Sequence, residues 1–181
     1  MRSLWILLLL LATPCLGSPE GLINLTKAVE KDRKIPKKLL VAIIKTESSF
    51  NPLAYNPSSR PGVKVSSFGL GQITLQTGRN TCNMSKKDLL QPKKNILCSS
   101  TILKNHLERF NGNIKRAISA YNAGTPCECD GRRFVRLDGK GRSCFSENHR
   151  FKRCEYGTFL NQPYVNNVLK NFRSVDMLKN D

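Results

Sequence analysis

The sequence predicts a mainly α-helical domain that carries a disulfide-rich insert. Two segments, one leading into Glu47 and one following Pro92, have apolar residues at the i, i+3, i+4 spacing of a half-buried helix. A third segment, residues 125–160, is rich in Cys, Gly and Arg and has no such periodicity. Helices on both sides of a cross-linked excursion indicate one helical core with an irregular addition.

Residues 1–17 form a predicted signal peptide. Arg2 precedes an apolar run from Leu4 to Ala12, and the small residue Gly17 lies at the expected cleavage position. The run is shorter than the roughly 20 residues of a membrane-spanning helix. A lipoprotein anchor on Cys15 fits poorly after Pro14. We therefore expect an exported, soluble monomer without a stable membrane anchor.

Residues 18–181 have the size of one domain and contain six cysteines. In an exported chain an even number of cysteines predicts disulfides, here three, with the pairing left open. The alternative is a metal site formed by the insert cysteines with His149, which an oxidising compartment disfavours because it removes free thiolates. We expect no metal and no cofactor. The disulfide candidates are Cys82, Cys98, Cys127, Cys129, Cys144 and Cys154.

The formal net charge of +17 predicts an acidic partner. Nucleic acid, an anionic membrane surface and a carboxylate-bearing polymer all qualify. Lys and Arg are spread along the chain without a long block, so charge alone does not choose among the three.

The helical segments follow one another along the chain. Residues 18–33 have a weak helical spacing, and Pro36 suits the first position of the strongest helix, which runs to residue 50. Residues 51–68 are loop by composition. A long amphipathic helix follows Pro92 and ends near Gly112, and Asn113 can cap the next helix, which stops at Gly124. The insert is compatible with a small β-hairpin, and a last helix is predicted over Pro163 to Leu178.

Glu47 is the first candidate for a catalytic group. It continues the apolar stripe of its helix and lies near the helix C-terminus. Burial disfavours a charged carboxylate, and the negative end of the helix dipole does the same, so both effects raise its pKa. A carboxylic acid that stays protonated near neutral pH is what general-acid cleavage of a glycosidic bond requires.

Three short motifs resemble those of the Slt-type lytic transglycosylases, which belong to the goose-type lysozyme superfamily. They are Glu47-Ser48-x-Phe50-Asn51-Pro52-x-Ala54, Gly69-Leu70-Gly71-Gln72-Ile73 and Ala120-Tyr121-Asn122-Ala123-Gly124. Asn95-Ile96 and Tyr164-Val165 also match the family pattern. The resemblance covers roughly residues 20–124 and 160–175, with the motifs in the family order.

The resemblance implies a mainly α, lysozyme-like fold whose groove binds alternating N-acetylmuramic acid and N-acetylglucosamine. It implies that Glu47 is the acid/base, that Ser48 is the serine beside it and that Gln72 hydrogen-bonds sugar. It further implies that Tyr121 and Asn122 line the groove near Glu47. Gly69 and Gly71 would allow a close approach of the backbone to a sugar ring, or a turn that other residues disfavour.

The sequence departs from the family pattern at three places. Many relatives have a serine that binds the substrate N-acetyl group, and here Asn56, Ser58 or Ser59 can take its place. Gly71 stands where the family often has Met. The insert at 125–160 has no counterpart in the family core, so its role stays open.

The sequence favours a reaction that uses one carboxylate. Between Glu47 and Asp88 it contains no Asp or Glu, although Asp88, Glu108 or Glu128 could fold into the groove. Retaining and inverting glycosidases both normally use two carboxylates. In the family, the C6 hydroxyl of muramic acid attacks C1 and leaves a 1,6-anhydro end.

Three rival functions stay open at this level. A goose-type muramidase would hydrolyse the same bond, and a non-catalytic wall-binding or assembly protein would use the same groove. A nucleic-acid binder is disfavoured because no motif accompanies the charge. The expected partner is the glycan strand of peptidoglycan in the periplasm or outside the cell, with a secretion, conjugation or other envelope-spanning apparatus as a further candidate.

Overall fold

The computed structural model describes residues 18–57, 65–140, 142, 144 and 154–174. The predicted signal peptide, Ser58, Ser59, His149 and the predicted end of the last helix at 175–178 lie outside these residues. Within the described part of the chain, no helix is both long and apolar enough to cross a bilayer.

The described residues form seven helices and two small sheets. The helices are α1 Pro19–Asp32, α2 Leu39–Ser48, α3 Leu75–Cys82, α4 Lys86–Leu89, α5 Pro92–Arg109, α6 Ile114–Ala123 and α7 Gln162–Ser174. One sheet has the order β1 (Tyr55–Asn56), β2 (Ser67–Phe68), β3 (Ile73–Thr74), and β4 (Cys127–Cys129) pairs with β5 (Phe134–Arg136) in the other. The predicted fold class, mainly α with a disulfide-rich insert, is confirmed.

Helix α2 lies at the centre of the core. All six residues from Leu39 to Ile44 are at most 1% exposed, because α1, α5 and α7 pack around the helix. A helix that is apolar on every side is stable only where neighbours cover it on every side. The neighbours therefore fix the direction of α2, and with it the position of Glu47 near its C-terminal end.

The start of α2 differs from the prediction, which placed Pro36 in its first position. The helix begins at Leu39, and Glu30 from α1 occupies its N-terminus. The Glu30 carboxylate accepts backbone N–H bonds from Lys38 at 2.8 Å, Leu40 at 2.7 Å and Val41 at 3.1 Å. These are amide groups that a helix end leaves without partners. A buried carboxylate from the preceding helix thus replaces a local cap.

The segment between α2 and α5 contains structure that the composition did not predict. The expected loop at 51–68 contributes β1 and β2, whose register pairs Tyr55 with Phe68 and Asn56 with Ser67. Helix α3 follows β3, capped by Thr74, which accepts the Thr77 amide at 3.1 Å. Each strand of this sheet is only two residues long, which is too short to show an alternation of buried and exposed residues in the sequence. The strands are recognised only from their backbone pairing.

Three disulfides join the six cysteines of residues 18–181, as predicted. Cys82–Cys98 connects α3 to α5, whereas Cys127–Cys144 and Cys129–Cys154 cross-link the insert. The metal alternative for the insert cysteines is wrong, because disulfide sulfurs are not thiolate ligands. Within the described residues, no group of three or more His, Cys, Asp and Glu could hold a metal.

The insert is fastened to the helical core at its two ends. Pairing of β4 with β5 confirms the predicted hairpin, and the Leu160 amide donates to the Cys127 carbonyl at 2.9 Å. Phe159 is 3% exposed and belongs to the main core. The Arg116 guanidinium on α6 donates to the Glu128 carboxylate at 2.7 Å.

Candidate active site

A cavity of about 450 Å³ opens between the β1–β3 sheet, the end of α2, and helices α3, α5 and α6. Residues from all three motifs contribute to it, although the motifs are far apart in sequence. Its lining comprises Glu47, Asn56, Ser67, Gly71, Gln72, Ile73, Thr74, Thr77, Thr81, Ile102, Asn105, His106, Ala120, Tyr121, Asn122 and Gly124.

Glu47 reaches the cavity from the last turn of α2. The chain reverses directly after this turn, through Ser49 and Phe50, which both have a positive φ (51° and 63°). Such conformations are uncommon for residues other than glycine and need support from their surroundings. Phe50 packs against the main core, which supplies that support.

The Glu47 carboxylate has one hydrogen-bond partner among the described side chains, the phenol of Tyr164 on α7. The Tyr164 hydroxyl donates to Glu47 Oε1 at 2.6 Å. Burial raises the pKa of Glu47 and outweighs the hydrogen bond from Tyr164, which lowers it, so that the pKa is about 7. Glu47 is therefore partly protonated at neutral pH, as an acid that later becomes a base needs to be.

Tyr121 forms the wall of the cavity together with the backbone of the second motif. Its hydroxyl donates to the Gly71 carbonyl at 3.0 Å, and burial raises the pKa of the phenol well above its usual range. The negative charge of Glu47, which lines the same cavity, raises the pKa of Tyr121 further. Tyr121 is thus a neutral hydroxyl beside the acid.

Gly71 leaves no room for a side chain. A Cβ at this position would lie 1.9 Å from the Ser99 hydroxyl and 2.6 Å from the Tyr121 hydroxyl. The Gly71 amide donates to Asn95 Oδ1 at 2.8 Å, while Asn95 Nδ2 donates to the carbonyls of Phe68 at 3.0 Å and Leu89 at 2.7 Å. Asn95, 1% exposed, therefore holds the glycine loop against α5.

Gln72 lines the cavity, but its amide group is engaged with the protein. Its Nε2 donates to the carbonyls of Ala54 at 3.2 Å and Gly69 at 3.0 Å, and its Oε1 accepts from the Ser67 hydroxyl at 2.8 Å. Both amide hydrogens are used, which leaves one lone pair of Oε1 for a ligand. The side chain ties the first motif to the second across the β1–β3 sheet.

Asn56 and Asn122 line the cavity from two different elements, β1 and α6. Asn56 ends β1 and is exposed, with no hydrogen bond to another described side chain. Asn122 follows Tyr121 on α6, and its Oδ1 accepts from the Asn161 side chain at 3.1 Å. Both present amide groups to the cavity at the positions where the sequence predicted substrate contacts.

Ser48 and Gly69 do not line the cavity. The Ser48 hydroxyl donates to the Ile44 carbonyl of its own helix at 3.3 Å. Gly69 has φ +71°, and a Cβ there would lie 2.3 Å from the Leu89 carbonyl oxygen and 2.4 Å from Asn95 Nδ2. Direct contact with a ligand is therefore unsupported for either residue, and their positions indicate roles in building the loops.

Glu47 is the one carboxylate among the described lining residues. Asp88 forms a capping box with Ser85 at the start of α4 and pairs with Lys94. Glu128 pairs with Arg116 at 2.7 Å, and Glu108 lies on the exposed side of α5 near Lys104. The three acids that could have supplied a second carboxylate are thus engaged elsewhere.

Two contributors to the site were not assigned a role from the sequence. Tyr164 lies 117 residues after Glu47, and Asn95 acts through backbone groups that no side-chain pattern reveals. One indication of their importance was present in the sequence, since Tyr164-Val165 and Asn95-Ile96 both match the family pattern.

Comparison with known proteins identifies a family that matches the chain. The model of the "Transglycosylase SLT domain" family matches residues 24–133. The soluble lytic murein transglycosylases of Escherichia coli K12 and O157:H7 are each 31% identical to the chain over 108 residues, which cover 56% of the chain. The chain corresponds to only 16% of the length of those relatives.

Two solved structures are partly similar. The 70 kDa soluble lytic transglycosylase from Escherichia coli shares 30% identity with a TM-score of 0.49, over 56% of this chain and 16% of that one. The lytic transglycosylase Slt from Pseudomonas aeruginosa, solved as an inactive Glu-to-Gln mutant, shares 29% identity with a TM-score of 0.47 over the same shares.

Proposed function

The chain belongs to the transglycosylase SLT domain family, and from that membership we propose that it cleaves peptidoglycan as a lytic transglycosylase. The proposed bond is the β-1,4 link between N-acetylmuramic acid and N-acetylglucosamine. The observation that carries the proposal is the placement of Glu47, a carboxylate with a pKa near 7 in a cavity whose described lining contains no other acid.

The proposed reaction uses Glu47 twice. Its protonated carboxyl donates a proton to the glycosidic oxygen, and the bond from that oxygen to C1 of muramic acid breaks. The C6 hydroxyl of the same sugar then bonds to C1 and gives its proton to the Glu47 carboxylate. Bonds and protons balance without water, the product has a 1,6-anhydro end, and the acid is restored for the next cycle.

Tyr164 has a proposed positioning role in this cycle. Its hydrogen bond stabilises the ionised form of Glu47, which exists between the two proton transfers. The pKa of Glu47 results from burial acting against this bond, so the group can both donate and accept a proton near pH 7.

The remaining lining residues are proposed to bind the glycan. Asn56 takes the place of the family serine that binds the N-acetyl group, since its amide is exposed in the cavity. Asn122 and the free lone pair of Gln72 are further partners for sugar hydroxyls, and Tyr121 supplies a neutral wall beside the acid.

The test is digestion of purified peptidoglycan with wild-type protein and with Glu47→Gln, followed by mass spectrometry of the products. We expect anhydro-muropeptides from the wild type and at least about a 100-fold lower rate in the variant, as for the loss of a general acid. Circular dichroism of both proteins serves as the folding control.

Each rival function predicts a different result of this digestion experiment. Products with reducing ends, heavier by one water, would identify a muramidase that hydrolyses the same bond. Equal effects of wild type and Glu47→Gln on the wall would favour a non-catalytic binding or assembly protein. Export, a monomeric state and contact with an envelope-spanning apparatus stay predictions.

A further inference from the structure

One wall of the cavity lies outside the three motifs. It is formed by Thr77 and Thr81, one turn apart on α3, and by Asn105 and His106 on α5. We call these four residues the α3–α5 wall. Asn105 and His106 follow Ile102 by three and four positions, so all three lie on one face of α5.

The α3–α5 wall has hydrogen-bonding groups that the protein does not use. Among the described residues, the side chains of Thr81, Asn105 and His106 bond to no protein group. Thr77 accepts from the Thr74 hydroxyl at 2.8 Å and keeps its own proton free to donate. No buried side-chain polar atom in the described structure lacks a partner, so these free groups are accessible to solvent or ligand.

The α3–α5 wall is also uncharged. Despite a net charge of +17, no Lys or Arg is among the described lining residues. Burial, with a smaller contribution from the Arg109 cation, lowers the pKa of His106 to about 4, so its imidazole is neutral at pH 7. Arg109 itself donates to the Leu137 carbonyl of the insert at 2.9 Å. The wall therefore suits neutral donors and acceptors better than carboxylates.

The composition of the wall matches an acetamido group. A neutral imidazole offers one donor and one acceptor, which complement the carbonyl and N–H of an amide. Ile102 lines the cavity one turn before His106, and its side chain provides an apolar surface for a methyl group. The Cys82–Cys98 disulfide joins α3 to α5, so the two halves of the wall are held together before a ligand arrives.

We propose that the α3–α5 wall is a binding subsite for an uncharged N-acetylhexosamine residue of the glycan strand, and that His106 is its specificity-determining side chain. This inference rests on the proposed function, since it concerns a sugar next to the bond that is cleaved. Stem-peptide carboxylates would then be bound outside the cavity, where the Lys and Arg residues lie.

The first experiment measures binding of tri-N-acetylchitotriose by isothermal titration calorimetry in a Glu47→Gln background. His106→Leu should weaken binding about 3- to 10-fold, the effect of one or two hydrogen bonds between neutral groups. His106→Gln keeps a donor and an acceptor and should stay within about 3-fold of the parent. Gln76→Leu, on α3 outside the lining, is the matched control and should not change binding.

The second experiment measures cleavage of peptidoglycan by His106→Leu with Glu47 intact. A subsite that holds the sugar equally in the ground and transition states affects KM and leaves kcat nearly unchanged. We expect kcat/KM to fall about 3- to 10-fold, in line with the loss of binding. Thermal unfolding of each variant verifies that it is folded.

The two proposals fail in different ways. If His106→Leu binds the trisaccharide as its parent does, or if the parent does not bind it at millimolar concentration, the subsite is refuted while anhydro products still support the transglycosylase. If binding depends on His106 but the wild type releases no anhydro-muropeptides, the proposed reaction is refuted and the subsite stands.

Discussion

The hydroxyl of Tyr164 donates a 2.6 Å hydrogen bond to Glu47 Oε1 across 117 residues of sequence. The bond joins the end of α2 to α7, two helices that pack closely in the core. It acts against burial, which raises the pKa of Glu47 to about 7. The acid strength of the site therefore depends on how the last helix docks.

The pH dependence of cleavage tests this relationship. Glu47 must be protonated to act as an acid, so kcat/KM should be level below its pKa and fall above about pH 7. Tyr164→Phe removes a bond that favours the ionised form, so the pKa should rise and the falling limb should move up by about one pH unit. If the falling limb of kcat/KM lies at the same pH in the wild type and in Tyr164→Phe, Tyr164 does not control the pKa of Glu47. Tyr156→Phe, at a side chain 79% exposed, is the control.

Glu47→Gln should change stability as well as activity. The folded pKa of about 7 exceeds the ordinary value of 4.5, so the folded protein binds the proton more tightly than the unfolded chain does. Stability from this group is present below pH 4.5 and is lost as the pH rises through 7. The variant should therefore gain about 1 to 3 kcal/mol over wild type at pH 8. Urea unfolding at pH 4.5 and pH 8 measures the difference, which should disappear at the lower pH.

Gly71→Ala tests the packing of the second motif. Its methyl group would meet the hydroxyls of Ser99 and Tyr121, and the loop or Tyr121 would have to move. We expect a loss of about 1 to 3 kcal/mol in stability together with lower activity. Ser99→Ala in the same chain removes the closer oxygen but leaves Ser99 Cβ 3.0 Å away, so it should restore stability only in part. An unchanged melting temperature for the single variant would rule out this steric account.

Glu30→Ala tests the cap that the Glu30 carboxylate forms at the N-terminus of α2. The change leaves the amides of Lys38, Leu40 and Val41 without their acceptor in a buried environment. We expect a loss of at least about 2 kcal/mol, because each buried unpaired donor is costly. Chemical denaturation measures it, with Glu20→Ala on the exposed first turn of α1 as the control. Equal stability of the two variants would show that water or local groups cap the helix instead.

The local patterns of the sequence predicted the parts of the site that short segments encode. The apolar stripe before Glu47 identified α2, and Asn113 and Gly124 marked the ends of α6. The three motifs identified residues that the structure brings to one cavity. The two ends of α6 are set by contacts within a few residues of the pattern that reveals them, since Asn113 accepts the Arg116 amide and the Gly124 amide donates to the Ala120 carbonyl.

Longer-range relationships could not be predicted in this way. Helix α3 contains a glycine and two threonines, which are poor helix formers, and it depends on the Thr74 cap and the link from Cys82 to Cys98. The Glu30 cap moved the start of α2 by three residues from the position that Pro36 suggested. His106 carried no motif, and its place in the cavity follows from how α5 packs.

The bond between Leu160 and Cys127 has an evolutionary consequence. Because the insert leaves and re-enters the core at neighbouring points, its interior can change in length and sequence without moving α7. Tyr164 would keep its distance to Glu47 whatever the excursion contains. The insert is thus a place where new recognition could be added while the position of Tyr164 beside Glu47 is kept.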